Sequence, residues 1–200
     1  MLNYYNLLTA NLFVIYIFLR IFTFLPKRLL LLVILILLCF NFINITSDNQ
    51  TIFYFVTGFI NYFSFSSFVL LIFIIVTTFI SKKIAIFPYT CTAFLLILII
   101  FYGLFFIVSY KLYDIGYSAY LVLTCVFAYG LILLVISNRF ILFNIIIVIA
   151  TIAYFSGILQ NNIWNYLLDP VLLVICVIEI SRALFITTKN KQHKDKIIYY

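Results

Sequence analysis

The chain has 200 residues, of which 68% are hydrophobic and 8% charged, with a formal net charge of +7 and a mean hydropathy of +1.30. A soluble domain carries roughly a quarter charged residues to cover its surface, so this chain has lipid as its natural solvent; spans of about 20 residues each leave its length no room for a soluble domain. The positive charge does not point to nucleic acid, because Lys and Arg sit in short clusters between apolar runs and act there as topology signals.

The first apolar run is Tyr5 to Leu25, closed by Pro26, Lys27 and Arg28. It has no basic leader before it and no small-residue cleavage site after it, so it reads as a span and not as a signal peptide. The second run, Leu29 to Ile45, ends in the polar stretch Thr46 to Gln50. The third is Thr51 to Ile80, before Ser81, Lys82 and Lys83. Its 30 residues would reach about 45 Å as one helix, longer than a hydrocarbon core of about 30 Å. Tyr54, Thr57, Gly58, Asn61 and Tyr62 form a mildly polar stripe at helical spacing. The run therefore predicts a short interfacial helix over residues 51–63, a break near Ser64 to Ser67, and then the span; one long tilted span is the alternative. The fourth run is Ile84 to Ser109, the fifth Tyr117 to Ile136, the sixth Phe140 to Ser156 and the seventh Pro170 to Thr188. A basic tail, residues 189–200, follows the membrane domain of residues 1–188.

The basic residues mark every second link. Lys27, Arg28, Lys82, Lys83, Arg139 and the tail lysines Lys189, Lys191, Lys194 and Lys196 fall on one side, whereas the other links hold only Lys111. Excess Lys and Arg in short loops marks the cytoplasmic side. The expectation is an all-α polytopic bundle of about seven spans, N-terminus outside and C-terminus cytoplasmic. Basic turns of two or three residues force their flanking helices antiparallel, which makes three hairpins and a final helix.

Ionisable groups inside spans are costly and often functional. Arg20 lies about one turn from the end of its run and is expected to snorkel to the headgroups. Glu179 lies nine residues past Pro170, about 14 Å into its helix and so near mid-bilayer. Arg182 stands at i+3, on the same face as Glu179, Cys176 and Ala183. The pair serves either as the polar centre of a pathway or as a self-neutralising bridge that docks the last helix, and the bridge is favoured because no His or second carboxylate stands nearby in sequence.

Two outer links carry the remaining information: KLYDIGY, Lys111 to Tyr117, and NIWNYLLDP, Asn162 to Pro170. Asp169 before Pro170 is a strong helix start, since the carboxylate caps free N–H groups and proline suits the first helical position. Trp164, Tyr166, Tyr110, Tyr113 and Tyr117 fit an interfacial aromatic belt. Asp114, Trp164 and Asp169 are candidates to line an outward pocket for a lipid headgroup, a sugar or a partner protein, against the plainer reading of capping and anchoring. The same segments resemble a group of small polytopic inner-membrane proteins of Gram-negative bacteria. Asp114, Gly116 and Tyr117 match its first link, with Ile115 in place of a longer stretch. Asn162, Trp164, Tyr166, Leu167, Leu168, Asp169 and Pro170 match its second. The resemblance covers the last half of the chain and implies a bacterial inner-membrane location, with no activity to carry over.

Catalytic signatures are missing from the sequence. It holds no GxSxG elbow, no GxGD or paired intramembrane aspartates and no phosphate-binding loop. The single histidine, His193, sits in the tail. Cys39, Cys91, Cys125 and Cys176 are dispersed within apolar runs, without a CxxC pair or metal-ligand spacing. No cofactor or metal is expected, and membrane lipids and a membrane protein are the expected partners. Three classes of function remain open at this point. The leading one is a non-catalytic accessory or assembly subunit of the cell envelope. The others are a small-solute or lipid transporter or channel using Glu179 and Arg182, and a membrane-embedded transferase at the outer face.

Overall fold

The computed structural model describes residues 2–39, 57–58, 63–80, 87–108, 114, 116–159 and 162–198, and among these there is no strand. The principal helices are α1 (Leu2–Ile21), α2 (Lys27–Cys39), α3 (Phe65–Ile80), α4 (Phe87–Val108), α5 (Ala119–Ile136), α6 (Ile141–Phe155) and α7 (Pro170–Ile198). Among the described residues four stretches are long and apolar enough to cross a membrane: Tyr4–Ile21, Ala119–Ile136, Asn138–Phe155 and Trp164–Thr188. Phe65–Ile80 and Phe87–Phe101 are shorter apolar helices.

Local chemistry explains where the helices stop. After α1 the chain turns at Phe22 to Leu25, and the Pro26 carbonyl accepts from Leu30 N–H to open α2. Proline suits that place because its own missing N–H has no partner to lose there. Ser137 ends α5 in extended conformation, and its Oγ accepts from Arg139 N–H to start a single 3-10 turn, Asn138–Phe140, into α6. Gly157, at φ +65°, closes α6. Glycine takes this left-handed conformation without a Cβ penalty.

Of the break expected near Ser64 to Ser67, only Ser64 is non-helical, and Phe65 to Ser67 already form the first turn of α3. Phe63 and Ser64 are non-helical, and the Ser64 hydroxyl accepts from Ser67 N–H at 3.1 Å, an N-cap. Thr57 and Gly58 are helical; the rest of the 51–62 stretch lies outside the described residues, as do residues 40–50 and the basic turn at 81–83. The last helix does not stop where the apolar run does. It continues through the basic stretch to Ile198.

Contacts order the helices. The Tyr5 hydroxyl, near the start of α1, donates to the Ser64 carbonyl at 3.0 Å, and Lys27, just past α1, donates to the Phe79 carbonyl near the end of α3. Helices α1 and α3 therefore run the same way. α7 begins at the Ser64 level, where Ser64 N–H meets Asp169. α4 and α6 finish at that end, with Phe101 against Trp164 and Tyr154 against Tyr166. α7 packs most closely against α4.

The core is aromatic and aliphatic, with Tyr16, Phe63, Phe94, Phe143 and Tyr166 among its fully buried side chains. Phe94 and Phe143 meet edge-on at 4.8 Å between centroids. Gly130 lets α5 and α6 close together, since a Cβ there would strike the Asn144 amide, which instead donates to the Gly130 carbonyl at 3.1 Å. The outward faces are equally apolar. Val135 is 89% exposed, and Ile132, Ile136 and Leu131 lie beside it in sequence, also exposed. In water such a surface would be a large aggregation-prone patch; in hydrocarbon it costs nothing. α2 lies at the periphery, with Leu30 buried against Ile15 and Leu19 while Leu29, Leu31, Leu32 and Leu35 face outward.

Candidate functional site

Two clusters of buried polar groups stand at different levels along α7. The first level is Asp169. Its Oδ1 accepts from Leu172 N–H at 2.6 Å, the N-cap bond expected of an Asp-Pro helix start. Its Oδ2 points across the bundle and accepts from Ser64 N–H at 2.6 Å and from the Ser67 hydroxyl at 2.7 Å. One carboxylate thus caps α7 and clamps the cap of α3. Tyr5 closes over the joint, stacked on Phe65 and bonded to Ser64. The Ser66 hydroxyl donates to the Tyr166 carbonyl, tying α3 to the Trp164–Leu167 turn before α7.

The second level is Glu179, ten residues and about 15 Å further along α7. Its Oε1 accepts from Arg20 Nε at 2.6 Å and from the Tyr16 hydroxyl at 3.0 Å, both on α1. Arg182 stands on its other side, 3.7 Å from Oε2. Side-chain exposure is 7% for Glu179, 12% for Arg20 and 37% for Arg182. The strong bond is therefore the one to α1, while the i+3 neighbour is a longer and wetter contact. This corrects the placement of Arg20 at the headgroups: its guanidinium turns inward and lies over the Tyr16 ring, 5.3 Å from its centroid. Nearby, Cys176 of α7 lies against Cys91 of α4, and both are buried free thiols.

The two aromatic links singled out in the sequence meet each other. Ile163 N–H donates to the Gly116 carbonyl at 3.1 Å. A Cβ at Gly116 would collide with Asn162 Oδ1 and Trp164 Cδ1, so glycine is required for this close approach. The Asn162 side chain accepts from Trp164 N–H at 3.0 Å, and Trp164 packs on Phe101 with 4.6 Å between centroids. Beyond this seam an open cavity of about 770 Å³ lies between the start of α5 and the end of α6, lined by Asp114, Tyr117, Ser118, Tyr120, Tyr154 and Phe155 among others.

The three link candidates thus have different surroundings. Asp114 is exposed and lines the cavity, Trp164 braces the seam behind it, and Asp169 is sealed in the α3–α7 joint. Of the intramembrane candidates, Arg20, Glu179 and Arg182 do come together, with Tyr16 as a fourth member that sequence pattern did not single out. Ser64 and Ser67 were visible as a helix break but not as partners of Asp169. Among the described residues no group of three His, Cys, Asp or Glu side chains is placed to hold a metal ion.

Among the described residues the fold is thus all-helical, with four helices long and apolar enough to cross a membrane and with Asp169 and Glu179 bonded inside the bundle. No protein-family model, curated protein or solved structure matches the chain.

Proposed function

We propose that this is a non-catalytic, multi-pass protein of a bacterial inner membrane, an accessory or assembly subunit of the cell envelope that works as a rigid scaffold. In this reading the chain makes seven spans, as three antiparallel hairpins and a final helix, with the N-terminus outside and the C-terminus cytoplasmic. The shared direction of α1, α3 and α7, opposite to α4 and α6, supports that alternation. So does the placement of Lys27 and Arg139 at helix ends, bonded to Phe79 and Tyr89. The resemblance in the two outer links fits the same location.

The observation that carries the reading is the state of the two buried carboxylates. Asp169 accepts three hydrogen bonds, and Glu179 has a hydroxyl and two guanidiniums around it. A transport site must exchange its ligands as substrate passes. One oxygen of each is instead committed to cross-helix bonds, Asp169 Oδ2 to α3 and its cap and Glu179 Oε1 to α1, the use to which buried ion pairs are put when they set helix register. A transferase would need a base or nucleophile beside its substrate pocket, and Asp114 stands at the cavity as its only described titratable side chain besides tyrosines.

Affinity purification in mild detergent tests the reading. A stoichiometric protein partner retained by the wild type and by Glu179→Gln supports it. Solute flux in reconstituted vesicles that Glu179→Gln abolishes, in a protein that still elutes as a monodisperse species, would overturn it in favour of a transporter.

A further inference from the structure

We infer that the cavity between α5 and α6 is a binding site for an ammonium group, carried either by a zwitterionic lipid headgroup or by a small soluble amine. Its volume, about 770 Å³, falls in the range of small-molecule sites. Its chemistry is one-sided. The exposed carboxylate of Asp114 supplies a negative charge, and Tyr117, Tyr120, Tyr154 and Phe155 supply aromatic rings. Ring faces attract cations through their quadrupoles, and aromatic walls with a carboxylate are the usual surroundings of bound ammonium groups.

The walls are held in place from behind. Tyr154 meets Tyr166 edge-on at 5.3 Å between centroids, and the Tyr166 hydroxyl accepts from Leu159 N–H at 2.6 Å. The turn bearing Asp114 is closed by Tyr117 N–H donating to the Asp114 carbonyl at 3.1 Å. Gly157, at φ +65°, ends α6 and lines the cavity. The outward faces of α5 and α6 are apolar on either side, so the opening stands at the end of a lipid-facing hairpin, where acyl chains would bring a headgroup. Tyrosine suits such a rim, with one end of the ring apolar and the other wet.

The chain supplies its own reporter. Trp164 is the only tryptophan, and it touches Gly116, two residues from Asp114. The full-length protein is placed in nanodiscs of phosphatidylglycerol, which carries no ammonium group, and titrated with ethanolamine, tetramethylammonium and, as a neutral control, glucose. A second set of nanodiscs contains phosphatidylethanolamine. A saturable change in Trp164 emission with the soluble amines identifies a soluble ligand. A change seen only with phosphatidylethanolamine identifies the lipid. In either case Asp114→Asn, which keeps size and removes charge at an exposed position, weakens binding about tenfold, and Tyr120→Leu weakens it about two- to fivefold. The inference is overturned by an absence of saturable change with every ammonium probe. It is equally overturned if Asp114→Asn titrates like the wild type, or if glucose matches the amines.

Discussion

Arg20 and Arg182 both stand beside Glu179, but the structure ranks them unequally. In Arg20→Met, Glu179 loses its 2.6 Å partner and keeps the Tyr16 hydroxyl and a guanidinium 3.7 Å away. A carboxylate left largely unpaired at this depth costs about 3 kcal/mol, whether taken from broken buried pairs or from the insertion cost of a lone charge in a span. For a chain of this size that is a fall of about 6–12 °C in unfolding midpoint. Arg182→Met removes a longer contact from a side chain already 37% exposed, and should cost under about 1 kcal/mol. Glu179→Gln combined with Arg20→Met removes both charges together. The double variant should be more stable than Arg20→Met alone, with a coupling of about 2 kcal/mol. The assay is unfolding by a denaturing detergent titrated into mixed micelles, with thermal unfolding as a second readout. Equal losses in Arg20→Met and Arg182→Met, or additive losses in the double variant, would refute the ranking and return Glu179 to its i+3 neighbour.

The Asp169 joint and the Gly116 seam make two further predictions. Asp169→Ala loses a helix cap and two cross-helix bonds, and should destabilise by about 2–4 kcal/mol against about 1 kcal/mol for Ser67→Ala; thermal unfolding of the pair checks the order, and a milder Asp169→Ala contradicts the clamp. Gly116→Ala forces Asn162 and Trp164 aside, so it should shift Trp164 emission and cost about 1–3 kcal/mol, whereas unchanged emission would mean the two links do not touch.

The legible parts of this fold are those written in local pattern. Apolar runs and basic punctuation located α5 and α6 almost to the residue, because lipid imposes a length and a composition on each span. Asp169 with Pro170 was readable as a cap since capping is decided within about one turn of chain. The interruption at Ser64 was readable for the same reason, although Phe65 to Ser67 are helical. Their union was not, since 105 residues separate Ser64 from Asp169 and nothing in either neighbourhood encodes the other. Arg20 is the instructive case. Its distance from the helix end pointed to snorkelling, and that reading holds only for an isolated helix. The partner that draws it inward lies 159 residues away. The i+3 spacing of Arg182 made the weaker contact visible and the stronger one invisible.

The pairing of Arg20 with Glu179 also has a history in time. At a synthesis rate of about 5–20 residues per second, the ribosome reaches Glu179 roughly 8–30 s after Arg20. During that interval the first helix holds a guanidinium without its carboxylate, and reaching toward the headgroups is then the available relief. The last helix arrives with both carboxylates, whose partners on α1 and α3 are already made. Its docking therefore ends the wait of the first span, and a chain stopped before α7 would leave the Arg20 guanidinium without its carboxylate.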